Sequence, residues 1–213
     1  MRASTMMLPV LPLALVACVA SAGFSQPMDH ATNRPTPLHF GVYVTPDPAT
    51  NPIEPPERFT GYHAAVDYEV SEDELETPTQ VYAICKGRVI YSGFAEGYGG
   101  LIIQRCTLDG EPISVIYGHL SRNGLLEEGV TVRSGNPIGY LADARSTDSD
   151  GNRKHLHLGI HKGKGLDMRG YVQTEEELAE YIDPATVLQQ LDVEGVLPDM
   201  KAYWDTGTGS TES

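Results

Sequence analysis

The chain has 213 residues, enough for one domain with a leader and tails, and a formal net charge of −14. It has no arginine cluster and no basic helix, which excludes nucleic acid as a partner, because that binding depends on neutralising phosphates. With 40% apolar residues, 22 glycines and 15 prolines, the composition suits a loop-rich, strand-rich globular domain that can bury its own core.

Residues 1–22 read as a signal peptide. Arg2 is the only charge before the apolar run Met6 to Ala20, and Ala20-Ser21-Ala22 forms a cleavage site. The run is too short, and too interrupted by Pro9 and Pro12, for a transmembrane or core helix. Leu15-Val16-Ala17-Cys18 also resembles a bacterial lipobox, which would make Cys18 the lipid-bearing first residue. Both readings place the chain outside the cytoplasm, in the periplasm or cell envelope, as a soluble protein or a membrane-anchored lipoprotein.

Residues 23–37 are polar, contain proline and lack periodicity, and read as a linker. From Leu38, short apolar runs recur between Gly and Pro signals, and each is expected to be a strand. In chain order these are Phe40 to Val44, Val66 to Val70, Val81 to Ile84, Gly87 to Ser92, Leu101 to Cys106, Ile113 to Tyr117, Pro137 to Leu141 and His155 to Ile160. Strands and helices do not alternate, which excludes a doubly wound α/β fold. A hairpin centred near residues 95 and 96 sets Cys85 opposite Cys106. Outside the cytoplasm that placement predicts a disulfide; the other reading is two buried thiols.

Helical signals come late. Thr174 and Glu177 form a capping box ahead of Leu178, Tyr181 and Ile182. Asp183-Pro184 then starts a second helix, with Val187, Leu188 and Leu191 as its apolar stripe. The domain is expected to span residues 38–191. Residues 192–213 form a tail whose Gly-, Ser- and Thr-rich end is expected to be disordered.

Five of the seven histidines gather at His63, at His119, and at His155, His157 and His161. On a strand, His155 and His157 project from one face while Leu156 and Leu158 turn into the core. His63 and Asp67 stand where a loop leads into a strand, and imidazole and carboxylate are both zinc ligands. His119 ends an apolar strand beside Gly118, facing a cleft. Each motif alone is common: a surface or core pair, a turn histidine beside a solvated carboxylate, a histidine bonded to a carbonyl. Together they can converge on one metal with three protein ligands and an open position. His30 and His39 read as incidental, His161 as solvent-exposed, and Tyr117 as a packed strand aromatic.

The combination resembles the lysostaphin-type, or LytM-like, zinc endopeptidases. The resemblance runs from Phe40-Gly41 through His63-x-x-x-Asp67, Gly97-Tyr98-Gly99, Tyr117-Gly118-His119-Leu120 and His155-x-His157, ending near Asp183-Pro184. It implies a mainly β fold, an antiparallel sheet and β-roll sandwich with a short C-terminal helical segment. It implies Zn2+ held by His63, Asp67 and His157, with His119 and His155 as catalytic histidines. It also implies hydrolysis of peptide bonds in peptidoglycan stem peptides or cross-bridges; nothing in the sequence demands more than a monomer. Which histidine is the general base stays open. The sequence departs from the family pattern at Ala65, where glycine is usual, and at Arg153-Lys154, where small residues or proline are usual. The glycine-containing segment from Arg145 to Lys154 is longer and is expected to form a loop beside the cleft.

A second class is a non-catalytic wall-binding or amidase-activating module of the same fold. Such modules lose metal ligands, and all three are present here. A third is a biotin or lipoyl carrier resembling Val130 to Leu141, which lacks the exposed lysine a carrier needs.

Overall fold

A computed structural model of the chain describes residues 23–189. The strands in chain order are β1 (Tyr43–Val44), β2 (Gly61–His63), β3 (Ala65–Glu69), β4 (Gln80–Tyr82), β5 (Gly87–Ala95), β6 (Gly99–Leu108), β7 (Glu111–Leu120), β8 (Thr131–Val132), β9 (Pro137–Tyr140), β10 (His155–Lys162), β11 (Tyr171–Val172) and β12 (Tyr181–Ile182). Helix α1 covers Glu175–Leu178 and α2 covers 184–189. The fold is mainly β with a short C-terminal helical region. The signal segment, Cys18, Leu191 and the tail lie outside the described residues.

A seven-stranded antiparallel sheet forms the body, in the order β12-β10-β7-β6-β5-β8, with β3 also paired to β10. Its two faces bury different side chains, as strand alternation requires. One face contributes Ile102, Tyr117, Leu156 and Leu158 to the larger core, which the β4–β9 pair covers through Val81 and Ile138. The other contributes Leu101, Ile103 and Ile116 to a second core, closed by Val172 of the three-stranded sheet β1-β2-β11. Each fully buried aliphatic side chain contributes about 1.5–3 kcal/mol of transfer free energy, so these clusters hold the layers together.

All eight expected runs contain strands. The turn between β5 and β6 sits at Gly97, not at residues 95 and 96, because Ala95 pairs with Gly99. Cys85, just before β5, is disulfide-bonded to Cys106 of β6, with Cα atoms 6.3 Å apart.

Three expectations are corrected. Residues 23–37 are not a linker within the described structure. Met28 and Ala31 are buried in the larger core, Ser25 N donates to Ile84 O, and Arg34 pairs with Glu74. The helix expected through Ile182 ends at Leu178, because the chain returns as β12 against Ile160 and His161 of β10. His161 is not solvent-exposed: its side chain is 13% exposed, packed edge-on against Tyr181.

Candidate metal centre

The register of β3 against β10 builds the site. Asp67 pairs with His157 and Glu69 with His155, so four polar side chains occupy one face of two adjacent strands. Leu156 and Leu158 point to the opposite face and anchor β10 in the core. His63 ends β2, separated from β3 by Ala64 alone; it was expected in a loop but lies on a strand. Its ring returns to the same face, with Nε2 3.4 Å from Asp67 Oδ1 and 3.3 Å from His157 Nδ1. His157 Nδ1 lies 3.1 Å from Asp67 Oδ1.

These three atoms form a nearly equilateral triangle. Ligands about 2.0–2.1 Å from a tetrahedral zinc stand roughly 3.3–3.4 Å from one another, which matches the observed edges. Asp67 Oδ1 is buried and receives no directed hydrogen bond among the described residues. A buried carboxylate oxygen left in this way is costly unless a cation completes it. Burial works to raise the Asp67 carboxyl, but His155 and His63 outweigh it and hold the group well below the usual carboxylate range. Burial also pushes His157 down to about 4 against the pull of Asp67, which keeps its imidazole neutral, the form that binds metals. The donor set therefore fits a divalent metal.

His119 reaches the site through a distortion. Strict alternation would place it on the face of Tyr117, in the core. Instead β7 carries an extra residue against β6 between Tyr117 and Leu120, where Gly118 and His119 lie, and His119 has φ +62°. This left-handed conformation costs of order 1–3 kcal/mol for a residue with a side chain. It swings the ring to 4.3 Å from the ring of His155. Gly118 is needed beside it, because a Cβ there would lie 2.5 Å from the Tyr98 ring. Burial, then the neighbouring His155 and His157, drive the His119 imidazole well below its ordinary value.

His155 Nδ1 lies 3.0 Å from the Arg153 carbonyl, which only accepts, so its proton sits on Nδ1. Its Nε2 lies 3.2 Å from Asp67 Oδ2. Tyr117 does not touch these groups: its hydroxyl donates to Gln104 and accepts from Ile84 N in the core.

A cleft opens over the triangle, lined by Phe59, Tyr98, His119, Asn152, Met168 and Tyr171. Asn152 comes from the loop between Arg145 and Lys154, which stands beside the cleft. Two further residues meet the site: Tyr98, whose hydroxyl lies 3.4 Å from His157 Nε2, and Arg153, marked in the sequence only as a departure from the family pattern, whose guanidinium contacts Asp67, Glu69 and Glu57. The Gly97-Tyr98-Gly99 motif marked the first of these only as part of a pattern.

A comparison with curated proteins found no match. Among solved structures, the catalytic domain of the antimicrobial peptidase lysostaphin from Staphylococcus simulans aligns with 75% of this chain and 95% of its own, at 20% identity and a TM-score of 0.49. Csd3 from Helicobacter pylori aligns with 87% of this chain and 44% of its own, at 20% identity and a TM-score of 0.43. A zinc-containing peptidase from Vibrio cholerae aligns with 65% of this chain and 36% of its own, at 20% identity and a TM-score of 0.41. The model of peptidase family M23 matches residues 61–169, just over half of the chain and all five residues of the histidine and aspartate cluster. With that match and a metal-ready ligand triangle under an open cleft, the chain belongs to peptidase family M23 and is a metalloendopeptidase.

Proposed function

We propose that the protein is an exported zinc endopeptidase that cuts peptide bonds of peptidoglycan, in stem peptides or cross-bridges. The observation that carries the reading is the triangle of His63 Nε2, Asp67 Oδ1 and His157 Nδ1, with His119 and His155 beside it on the same cleft wall. His63, Asp67 and His157 are the zinc ligands, and His119 and His155 act on the substrate. Zinc in such a site supplies a Lewis acid and brings the pKa of a bound water toward neutrality.

The remaining chemistry belongs to the two histidines. His155, with Nδ1 fixed on the Arg153 carbonyl, offers Nε2 as the general base. His119, kept neutral by burial, presents an imidazole that stabilises the developing oxyanion or passes a proton to the leaving amine. The open cleft, with Phe59 and Tyr171 stacked at 5.2 Å on one wall, accommodates an extended peptide. Export is supported by the signal-like residues 1–22 and by the disulfide, a bond that persists outside the reducing cytoplasm.

The test is muropeptide release from purified peptidoglycan by the purified protein, with and without chelator, with products read by mass spectrometry. Chelator-sensitive release of cut peptides is expected, and the product masses name the bond. Absence of release by zinc-loaded, folded protein would overturn peptidoglycan as the substrate.

A further inference from the structure

Arg153 lies two residues before His155 and carries a side chain only 19% exposed. Its Nη2 donates to Asp67 Oδ2 at 2.8 Å and to Glu69 Oε1 at 2.7 Å, and its Nε donates to Glu69 Oε1 at 2.9 Å. Its Nη1 donates to Glu57 Oε1 at 2.5 Å. Asp67 Oδ2 meets Arg153 and His155, whereas Oδ1 faces only His63 and His157.

We propose that Arg153 is a positioning residue that pins Asp67 by Oδ2, so that Oδ1 alone is presented to the metal. The proposal rests on the reading of His63, Asp67 and His157 as the ligand set. A carboxylate free to rotate about its last bond can offer either oxygen or both. The guanidinium removes that freedom, because its planar fork is itself held by Glu69 on the same face of β3 and by Glu57 from the segment before β2. An outer partner that fixes a ligand carboxylate typically matters 10–100-fold for metal affinity. The charges agree: Glu57, Asp67 and Glu69 against Arg153 leave two net negative charges, which one divalent cation balances.

Positioning and simple charge make opposite predictions. A cation beside the site repels a metal ion, so if Arg153 acted only through its charge, removing it would tighten binding. If it acts by holding Oδ2, removing it loosens binding, and lysine, which keeps the charge without the fork, does not restore it. The experiment measures zinc affinity of the full chain by competition with a chromogenic chelator, together with the visible spectrum of the cobalt-substituted protein. Folding is followed by circular dichroism. Arg153→Met and Arg153→Lys are both expected to bind zinc about 10–100-fold more weakly, with an altered cobalt spectrum. Glu69→Gln, which loosens the fork without touching Asp67, is expected to shift affinity the same way by less. Folded Arg153→Met that binds zinc as tightly as the unaltered protein, or more tightly, overturns the inference. If Arg153→Met does not fold, unchanged affinity in both Arg153→Lys and Glu69→Gln overturns it. An unaltered protein whose zinc binding is indifferent to Asp67→Ala would overturn the ligand reading instead.

Discussion

Asp67 and His157 face each other directly across the β3–β10 pair, and their donor atoms meet at 3.1 Å. A backbone register therefore fixes two of the three candidate ligands, before any loop is placed. Asp67→Ala and His157→Ala should each lose metal and activity together. Affinity should fall by more than about 100-fold, the upper range for losing only an outer partner. Metal content by atomic emission and turnover on the same samples check this. Full activity in either variant would sink the ligand assignment.

His119 touches the ring of His155 but contributes no atom to the triangle. His119→Ala should retain the metal of the unaltered protein while the catalytic rate falls by about 10²–10⁴-fold, the range for losing a positioned acid or base. Zinc content measured beside steady-state kinetics separates the two quantities. Loss of the metal would show that His119 serves the ligands rather than the substrate.

The disulfide closes a loop between residues 21 apart in sequence. Replacing both cysteines by alanine should cost about 3 kcal/mol of stability. Urea unfolding of the chelator-treated protein reads this without the metal's contribution. A shift well below 1 kcal/mol would mean that the strands flanking the bond hold that corner unaided.

Arg34 holds Glu74 down to about 2, chiefly through their hydrogen bond, from an ordinary value of 4.5. A carboxyl lowered in the folded state adds stability that is fully present above its unfolded value and is lost as pH falls through its folded value. The contribution should therefore fade between pH 4.5 and about 2. Glu74→Gln should remove about 1 kcal/mol at neutral pH, allowing for solvent screening, and flatten that part of the pH profile. Thermal melts of chelated protein across the range test it. Parallel profiles for the two proteins would rule the pair out as a contributor.

The long strands of the body were legible because each alternates or sustains apolar residues over a run bounded by glycine or proline. Strands β8, β11 and β12, of two residues each, were not, since so short a pairing needs backbone partners and little side-chain pattern. Tyr181 and Ile182 fall on the helical period of Leu178, yet pairing with β10 overrode that local signal. Met28 and Ala31 were missed because isolated apolar residues in a polar segment carry no period. The histidines and Asp67 stood out through their motifs. The contact of Arg153 with Glu69 was not legible, although Arg153 was marked as a departure from the family pattern, because their meeting depends on the β3–β10 register, which no local spacing encodes.

Were the chain anchored at Cys18, the packing of the segment after residue 22 would limit how far the catalytic body could travel. Ser25 is already fastened to the body through Ile84. If the chain is lipidated at Cys18, only six residues separate the anchor from that point, and the seven residue steps span at most about 25 Å when fully stretched. A lipidated form would then act only close to the membrane, while a form cleaved after Ala22 would carry no such tether. A flexible insertion between Ala22 and Phe24 should extend the reach of the first form and leave that of the second unchanged.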